Sequence, residues 1–271
     1  MLETLRFLST QIVLLFVVTS VHTYIGLHII RRGLIFSDLS LDQLAAFGVI
    51  VGIGLGIQGG TTGSYFLSFI AVFIGSVLLA YVKPKNERIP HEAVIGIIYG
   101  LALVASIMVA DKFSGGATYV TQTLGGCMLW VNWNLVIVTV SAYIVIAVFL
   151  YKCRHKFVAI TDKSEKVQKE NFWDLCFFLC QGIITVLIVP IAGVLLAYAF
   201  LMIPAATAAL FTKGWGSGLR IGWGFGFFAS IVGLFSSYYL RLPYGPTLVL
   251  TLGLMFMIAL IIRAYVPERK A

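Results

Sequence analysis

Long apolar runs make up most of the chain, and short charged or Gly/Pro-rich breaks separate them. The runs extend over about 20 residues, which suits membrane-spanning α-helices, whereas the strands of a membrane barrel are about 10 residues long and alternate apolar with polar positions. The pattern predicts an all-α, polytopic membrane helical bundle with about nine spans, in a range of about eight to ten. The predicted spans are residues 7–30, 37–57, 63–82, 91–110, 132–151, 173–190, 192–212, 218–239 and 245–264.

Two regions depart from the simple pattern of runs and breaks. The apolar stretch at residues 172–212 is too long for a single crossing, and Pro190 and Gly193 mark the predicted break within it. Residues 111–130 are too polar to span the membrane, and we expect them to form a loop with a half-helix. The first run is too long for a signal-peptide core, so we interpret it as a retained span.

The distribution of basic residues supports this arrangement. If the N-terminus lies outside, nine spans place nearly all Lys and Arg residues on the cytoplasmic side, as the positive-inside rule expects. The exceptions among the 19 basic residues are Arg6, Lys112 and Arg241. We therefore predict an N-terminus outside the cell and a cytoplasmic C-terminus.

Composition excludes several classes of protein. The 271 residues are 60% hydrophobic and 11% charged, whereas soluble domains carry about 25% charged residues. The formal net charge of +8 follows from the positive-inside rule, so we expect no nucleic-acid partner. The chain has no GxxxxGK(S/T) motif, and HEAVI at residues 91–95 lacks the second His of a zinc-protease motif, so we expect no enzymatic activity.

Two aspartates stand at the start of the second predicted span, in FSDLSLDQLAAFG. Asp38 and Asp42 are four residues apart and share one helical face, and Gln43 follows them. Ionisable residues inside a membrane are costly and usually functional, and two carboxylates with an amide oxygen suit a divalent cation. Asp38, like Ser37, is alternatively placed to cap the helix N-terminus, whereas Asp42 lies a full turn further in.

Three further features carry candidate roles. His28 ends the first predicted span, where it is either an interfacial hydrogen-bonding residue or an additional metal ligand. Cys176 and Cys180 lie one turn apart, and we interpret them as small buried side chains rather than as a ligand pair. The small residues of VGIGLGIQGG at 51–60 and IPAATAAL at 203–210 predict close helix packing.

The segment from residue 152 to 174 is the largest polar loop, and it falls on the predicted cytoplasmic side. Its composition suits a short surface helix with Asp162 and Glu165 near its start and Lys166 and Lys169 near its end, an order that matches the helix dipole. The loop is either a solvated connector that faces the lipid surface or a docking surface for a soluble partner.

Four stretches, in order along the chain, carry a family likeness. The first resembles a pattern with G-hH-R-R near the end of span one followed by DLALAQ-AALG, and the third ends in an I-P-A-A-T-A hallmark. Together they resemble the permease subunit of ABC-type divalent-metal (zinc or manganese) uptake transporters, the ABC-3 family. The stretches are residues 26–48, 92–102, 173–208 and 242–250.

The resemblance implies a single transmembrane permease domain over residues 1–271 in the bacterial cell (inner) membrane. It implies a homodimer, a separate ATPase subunit that binds ATP, a periplasmic or extracellular metal-binding protein, and no cofactor in this chain. A stand-alone secondary transporter or channel is the alternative, although no internal repeat is evident. The candidate transient metal ligands of such an importer are Asp38, Asp42, Gln43 and His28, and among these the resemblance itself links the positions of Asp38 and Gln43 to metal passage. The expected ATPase-docking residues in the 152–174 loop are Asp162, Lys163, Ser164, Glu165 and Lys166.

The chain also departs from the family pattern. Residues 114–119 read SGGATY, where this branch of the family has a sequence like PHGAEH, so two His and one Glu are missing. Arg241 stands where an acidic residue is common. Gln43 stands near a family His position, and Asp42 supplies an acid where Ala is usual. These changes leave metal transport as the implied activity but alter the groups that meet the metal.

Overall fold

The computed structural model of the chain describes residues 2–84, 88–126 and 133–265, with side chains from residue 8 onward. All regular structure in these ranges is helical. The helices, in chain order, are α1 (Leu2–Arg32), α2 (Phe36–Gly54), α3 (Thr62–Tyr81), α4 (His91–Ala110), α5 (Gly116–Gly125), α6 (Trp133–Lys152), α7 (Arg154–Asp162), α8 (Glu170–Ala192), α9 (Val194–Phe211), α10 (Trp215–Leu240) and α11 (Tyr244–Tyr265).

The predicted spans are confirmed. Within the described residues, nine helices are long and apolar enough to cross a membrane, and their bounds agree with the predicted ones to within about three residues. The predicted break in the long apolar stretch is also confirmed, because α8 ends at Ala192 and α9 begins at Val194. Gly193 separates them with a φ of 77°, a left-handed value that a side chain would strain. The orientation of the termini stays a prediction.

The half-helix expected between residues 111 and 130 is α5. Its C-terminal end lies against the α8–α9 break and the start of α11, where backbones of three glycines meet at Gly126, Gly193 and Gly245. A Cβ at any of the three would collide with neighbouring backbone atoms. The short helix is thus seated directly on the break between two spans.

Small residues bring the central helices together. Close packing occurs in the predicted stretch 203–210, where Ala205 lies against Gly26, but not at Gly56 and Gly60 of the predicted stretch 51–60, where a Cβ would meet no neighbour. A Cβ at Gly26 of α1 would collide with the carbonyl oxygen of Leu201 in α9. A Cβ at Gly48 of α2 would collide with the backbone of α3 at Ser68, and the Ser68 hydroxyl donates a hydrogen bond of 2.9 Å to the carbonyl oxygen of Ala45. The most buried spans are α1, α2, α8 and α9, whereas α4, α6 and α11 expose most of their apolar surface.

The short helix in the 152–174 loop lies earlier than predicted. It is α7, it begins immediately after α6, and Asp162 is its last residue rather than one near its start. Phe157 anchors it, because this buried ring packs against Trp173 and Phe177. Residues 163–169 are not helical. That segment has only Val167 as an apolar anchor, and isolated short helices are unstable without tertiary packing.

A buried ion pair joins α1 to α8. The Arg32 guanidinium donates to the Asp174 carboxylate at 2.8 Å, and less than a tenth of either side chain is exposed. Lys83, just beyond α3, contacts the second Asp174 oxygen at 2.5 Å. The ends of three spans are therefore held by a single carboxylate. By contrast, Arg31 and Asp162 form a longer, more exposed pair at 3.4 Å.

Asp174→Asn is expected to lower the free energy of unfolding by about 3–5 kcal/mol, because it leaves two cations, one of them buried, without their counter-charge. The matched change Asp162→Asn removes an acid that is over a third exposed, and we expect it to cost at most about 1 kcal/mol. Unfolding of the detergent-solubilised protein by sodium dodecyl sulfate measures both. Equal effects of the two variants would contradict this ranking.

Candidate functional site

The two aspartates of α2 lie in the interior of the bundle. Asp38 and Asp42 are 2% and 1% exposed, and they are separated by one helical turn, about 6 Å along the axis. They are close enough to interact electrostatically. The shared helical face predicted from their spacing is therefore turned inward, away from the lipid.

Helix α8 provides the polar groups nearest to the acid pair. The Gln181 amide nitrogen donates to one oxygen of Asp38 at 2.9 Å, and the other Asp38 oxygen has no partner among the described residues. Thr185 lies one turn further along α8, next to Asp42. Its hydroxyl does not complete a hydrogen bond of standard geometry, because both Asp42 oxygens lack a partner in the described part of the chain.

Neutral oxygen atoms complete the surroundings of the pair. The Tyr143 hydroxyl of α6 is buried without a partner in the described structure, and Tyr143 lies close enough to interact with both carboxylates. The side-chain carbonyl oxygen of Gln181 is also buried without a hydrogen-bond partner among the described residues. Within the described ranges, no three His, Cys, Asp or Glu residues come together in a metal-binding group. In one chain, the described site thus consists of two carboxylates with neutral oxygen atoms nearby.

The capping role considered for Asp38 is wrong. Helix α2 has no side-chain cap from its own residues. The backbone N–H of Phe36 instead donates to the Glu92 carboxylate of α4 at 3.1 Å, and the Ser37 hydroxyl has no partner among the described groups. The Asp38 carboxylate therefore does not cap the helix N-terminus. It accepts a hydrogen bond from Gln181 and lies near Asp42.

Gln43 and His28 lie apart from the acid pair. The Gln43 amide nitrogen donates to the Ser106 hydroxyl of α4 at 3.2 Å, which directs this side chain toward another neighbour of α2. His28 is fully buried, and its Nδ1 lies 2.6 Å from the Thr161 hydroxyl of α7. Of the four predicted ligands, the structure brings together Asp38 and Asp42.

The predicted docking residues occupy the end of α7 and the segment that follows it. Lys163, Ser164, Glu165 and Lys166 are exposed and line a surface cavity of about 360 Å³. Asp162 is also exposed, but its carboxylate accepts a hydrogen bond of 2.8 Å from the Trp215 indole of α10. Asp162 thus serves an internal contact, whereas the next four residues present their side chains outward.

A larger cavity of about 1020 Å³ lies at the opposite end of α2. Its lining includes Val49 and Ile53 of α2 and Gly56 just beyond the helix. Val49 and Ile53 share a helical face with Asp38 and Asp42. Val49 is seven residues beyond Asp42, about 10 Å along the axis, and the small buried side chain of Ala45 lies between them. One face of α2 therefore leads from the cavity to the acid pair. The other lining residues are Ile57, Gln58, Gly59, Gly60, Tyr65, Tyr119, Gln122, Thr123, Asn134, Leu135, Val138, Pro190 and Ile191.

Three site residues were not singled out from the sequence: Gln181, Thr185 and Tyr143. Gln181 and Thr185 are polar residues four apart in an apolar span, the same signal that identified the aspartates. Gln181 also lies inside one of the stretches that carry the family likeness. Tyr143 gave no comparable signal, because aromatic residues are common in membrane spans.

Comparison with known proteins agrees with this description. The model of the ABC 3 transport family matches residues 4–263. The chain is 25% identical over 266 residues to "Manganese import system permease protein ScaB" of Streptococcus gordonii, covering 96% of this chain and 93% of the relative. It is 26% identical over 264 residues to "Manganese transport system membrane protein MntC" of Listeria innocua, covering 93% and 89%.

A solved structure shows the same fold. The structure described as "PsaBC from Streptococcus pneumoniae in complex with Fab" matches with a TM-score of 0.79 at 22% identity, covering 97% of this chain and 96% of the other. The family model spans nearly all of the nine-span bundle, including α2 and α8 with the acid pair. The resemblance drawn from the sequence is thereby confirmed, and this multi-pass membrane protein belongs to the ABC 3 transport family.

Proposed function

We propose that the chain is the permease subunit of an ATP-driven importer of divalent manganese, with two copies forming the translocation path. In this proposal a separate ATPase subunit binds and hydrolyses ATP, and a metal-binding protein outside the membrane delivers the ion. The names of the relatives, a manganese import permease and a manganese transport membrane protein, support the direction and the cargo. The homodimer rests on the family resemblance.

The observation that carries the proposal is the state of Asp42. Both of its carboxylate oxygens are buried and lack a partner within the described residues. An uncompensated carboxylate inside a membrane protein costs several kcal/mol, so its presence needs a function. A divalent cation that arrives along α2 supplies the missing counter-charge, and Asp38 and Gln181 provide further oxygen atoms beside it.

The donor atoms favour manganese over zinc. Carboxylate, carbonyl and hydroxyl oxygens suit Mn²⁺, whereas imidazole and thiolate groups favour Zn²⁺. The described neighbours of the pair include Gln181, Thr185 and Tyr143, each of which carries an oxygen atom in its side chain. His28, the one nitrogen ligand proposed from the sequence, instead contacts α7. A site of few oxygen ligands also suits transport, because tight binding would prevent release.

The geometry of α2 supports a path along this helix. The larger cavity lies on the predicted outer side, and the acid pair lies toward the predicted cytoplasmic end. A delivered ion would enter the cavity and meet Asp42 after passing Val49 and Ala45. Neither side chain holds the path closed through a hydrogen bond, since both are aliphatic.

The ATPase is proposed to dock on the exposed segment from Lys163 to Lys166. This segment joins α7 to α8, carries charges of both signs and lines its own surface cavity. A stand-alone secondary transporter or channel remains the alternative class. That alternative predicts transport without an ATPase, so co-purification of an ATPase separates the two.

Asp42→Asn is expected to lower uptake of radioactive manganese by whole cells at least about tenfold, equivalent to about 1.4 kcal/mol or more. The amide keeps the shape of the side chain but removes the negative charge. Asp111→Asn is the matched control, because Asp111 is an exposed acid at the other end of a span, and its uptake should stay normal. Unchanged uptake by Asp42→Asn, at equal protein level in the membrane, would remove Asp42 from the path.

Gln181→His is expected to shift the metal preference toward zinc, because it adds an imidazole nitrogen beside Asp38. The readout is the zinc concentration that halves manganese uptake, which should fall at least about tenfold. Gln181→Asn retains an amide and serves as the control. If zinc inhibits the histidine variant and the wild-type protein equally, Gln181 does not contact the ion.

The double charge reversal Glu165→Lys and Lys166→Glu is expected to reduce co-purification of the ATPase at least about fivefold, because it inverts the charge pattern of the proposed docking surface. Lys112→Glu reverses an exposed charge on the predicted outer side and should leave co-purification intact. Quantitative mass spectrometry of the affinity-purified permease measures both. Full retention of the ATPase by the double variant would place the docking surface elsewhere.

A further inference from the structure

The hydroxyl group of Thr161 is the point where α7 is joined to α1. Its side chain is buried at the last turn of α7. The hydroxyl donates to the Phe157 carbonyl oxygen of the same helix at 2.8 Å. The Arg32 Nε–H of α1 donates to it at 2.8 Å, and His28 Nδ1, also of α1, lies 2.6 Å away.

These three contacts are assigned to the donor and acceptor groups of the junction as follows. A threonine hydroxyl has one proton to donate and two lone pairs to accept with. The proton is used toward Phe157 and one lone pair is used by Arg32. We assign the remaining lone pair to His28, which places the imidazole proton on Nδ1 and leaves Nε2 unprotonated. In this assignment the hydroxyl is fully used, and His28 is a hydrogen-bond donor to α7.

Aromatic side chains of α1, α8 and α10 surround His28. Its ring lies 4.4 Å from the Trp215 ring of α10 and 5.7 Å from the Phe177 ring of α8, measured between centroids. Tyr24, one turn earlier on α1, packs edge-on against it at 4.7 Å. His28 thus sits among four helices with its polar edge directed at Thr161.

The junction continues into the helix that contacts the acid pair. Arg32, which donates to Thr161, also donates to Asp174 near the start of α8 at 2.8 Å. Gln181 lies seven residues further along α8, about 10 Å, and donates to Asp38. An unbroken series of hydrogen bonds and one rigid helical segment therefore connects the end of α7 with the acid pair.

We propose that Thr161 is a positioning residue that transmits the movement of α7, through Arg32 and Asp174, to the acid pair, and that His28 is its second contact on α1. The inference rests on the proposed function, since it takes the segment after α7 to be the ATPase-docking surface. It assigns His28 to this junction and not to the metal. Because Thr161 is buried, it lies beneath the docking surface and takes no part in contact with the ATPase.

The test compares Thr161→Val with Thr161→Ser. Valine has nearly the same shape but no hydroxyl, so we expect manganese uptake to fall at least about tenfold while the ATPase still co-purifies and hydrolyses ATP. Serine keeps the hydroxyl and should transport within about twofold of the wild-type protein. Amide hydrogen exchange in α7 of the purified protein should rise in the valine variant alone.

A double-mutant cycle separates the junction from a metal-ligand role of His28. His28→Phe preserves the aromatic packing and removes the donor. If both residues act through one contact, the double variant His28→Phe with Thr161→Val should transport no worse than the more impaired of the two single variants. A loss of uptake in His28→Phe with normal uptake in Thr161→Val would make His28 a ligand and overturn the inference.

Two further outcomes distinguish a failure of the proposed function from a failure of the proposed junction at Thr161. If the wild-type protein neither imports manganese nor retains an ATPase, the proposed function fails. If the wild-type protein does both, two results would refute the junction. One is full uptake by Thr161→Val, and the other is loss of its ATPase, because the hydroxyl would then serve docking rather than transmission.

Discussion

The bond between Arg32 and Asp174 is the interaction on which the arrangement of the helix ends depends. It is buried, and membrane surroundings give a buried charge no alternative partner in solvent. Arg32 links α1 to α8 through this bond and to α7 through Thr161, and Lys83 adds the end of α3. The ends of α1, α3, α7 and α8 are therefore joined through a single network of contacts.

The acid pair, by contrast, is buried without a full set of partners among the described residues. Arg32 and Asp174 satisfy each other, whereas Asp42 has no partner among the described groups and Asp38 has one neutral donor. Both sites lie against α8, so the helix that is anchored by a complete ion pair at Asp174 contacts the unsatisfied acids of α2 two turns later, at Gln181. Rigid support beside an unsatisfied charge is the arrangement expected of a site that must meet an ion without collapsing around it.

Local features of the sequence predicted most of the fold, and distant contacts account for the rest. The nine spans, the break at Gly193 and the half-helix α5 depend on run length, Pro/Gly position and polarity, all of which are local. The position of α7 depends on Phe157 reaching Trp173 and Phe177. The cap of α2 comes from Glu92, and the partner of His28 is Thr161, 133 residues away. No single-sequence pattern encodes such pairings.

The two ends of α2 differ in what must be broken to move them. Toward the cavity, the residues beyond Asp42 are Ala45 and Val49, whose side chains make only dispersion contacts that can be exchanged for others nearby. Toward the other end, displacement of α7 from α1 separates charged hydrogen bonds in a buried setting, which are strong and have no substitute. The bundle is therefore mechanically asymmetric. Side-chain contacts along the aliphatic wall of the cavity can be exchanged one at a time, whereas movement at the ionic end requires the loss of charged hydrogen bonds.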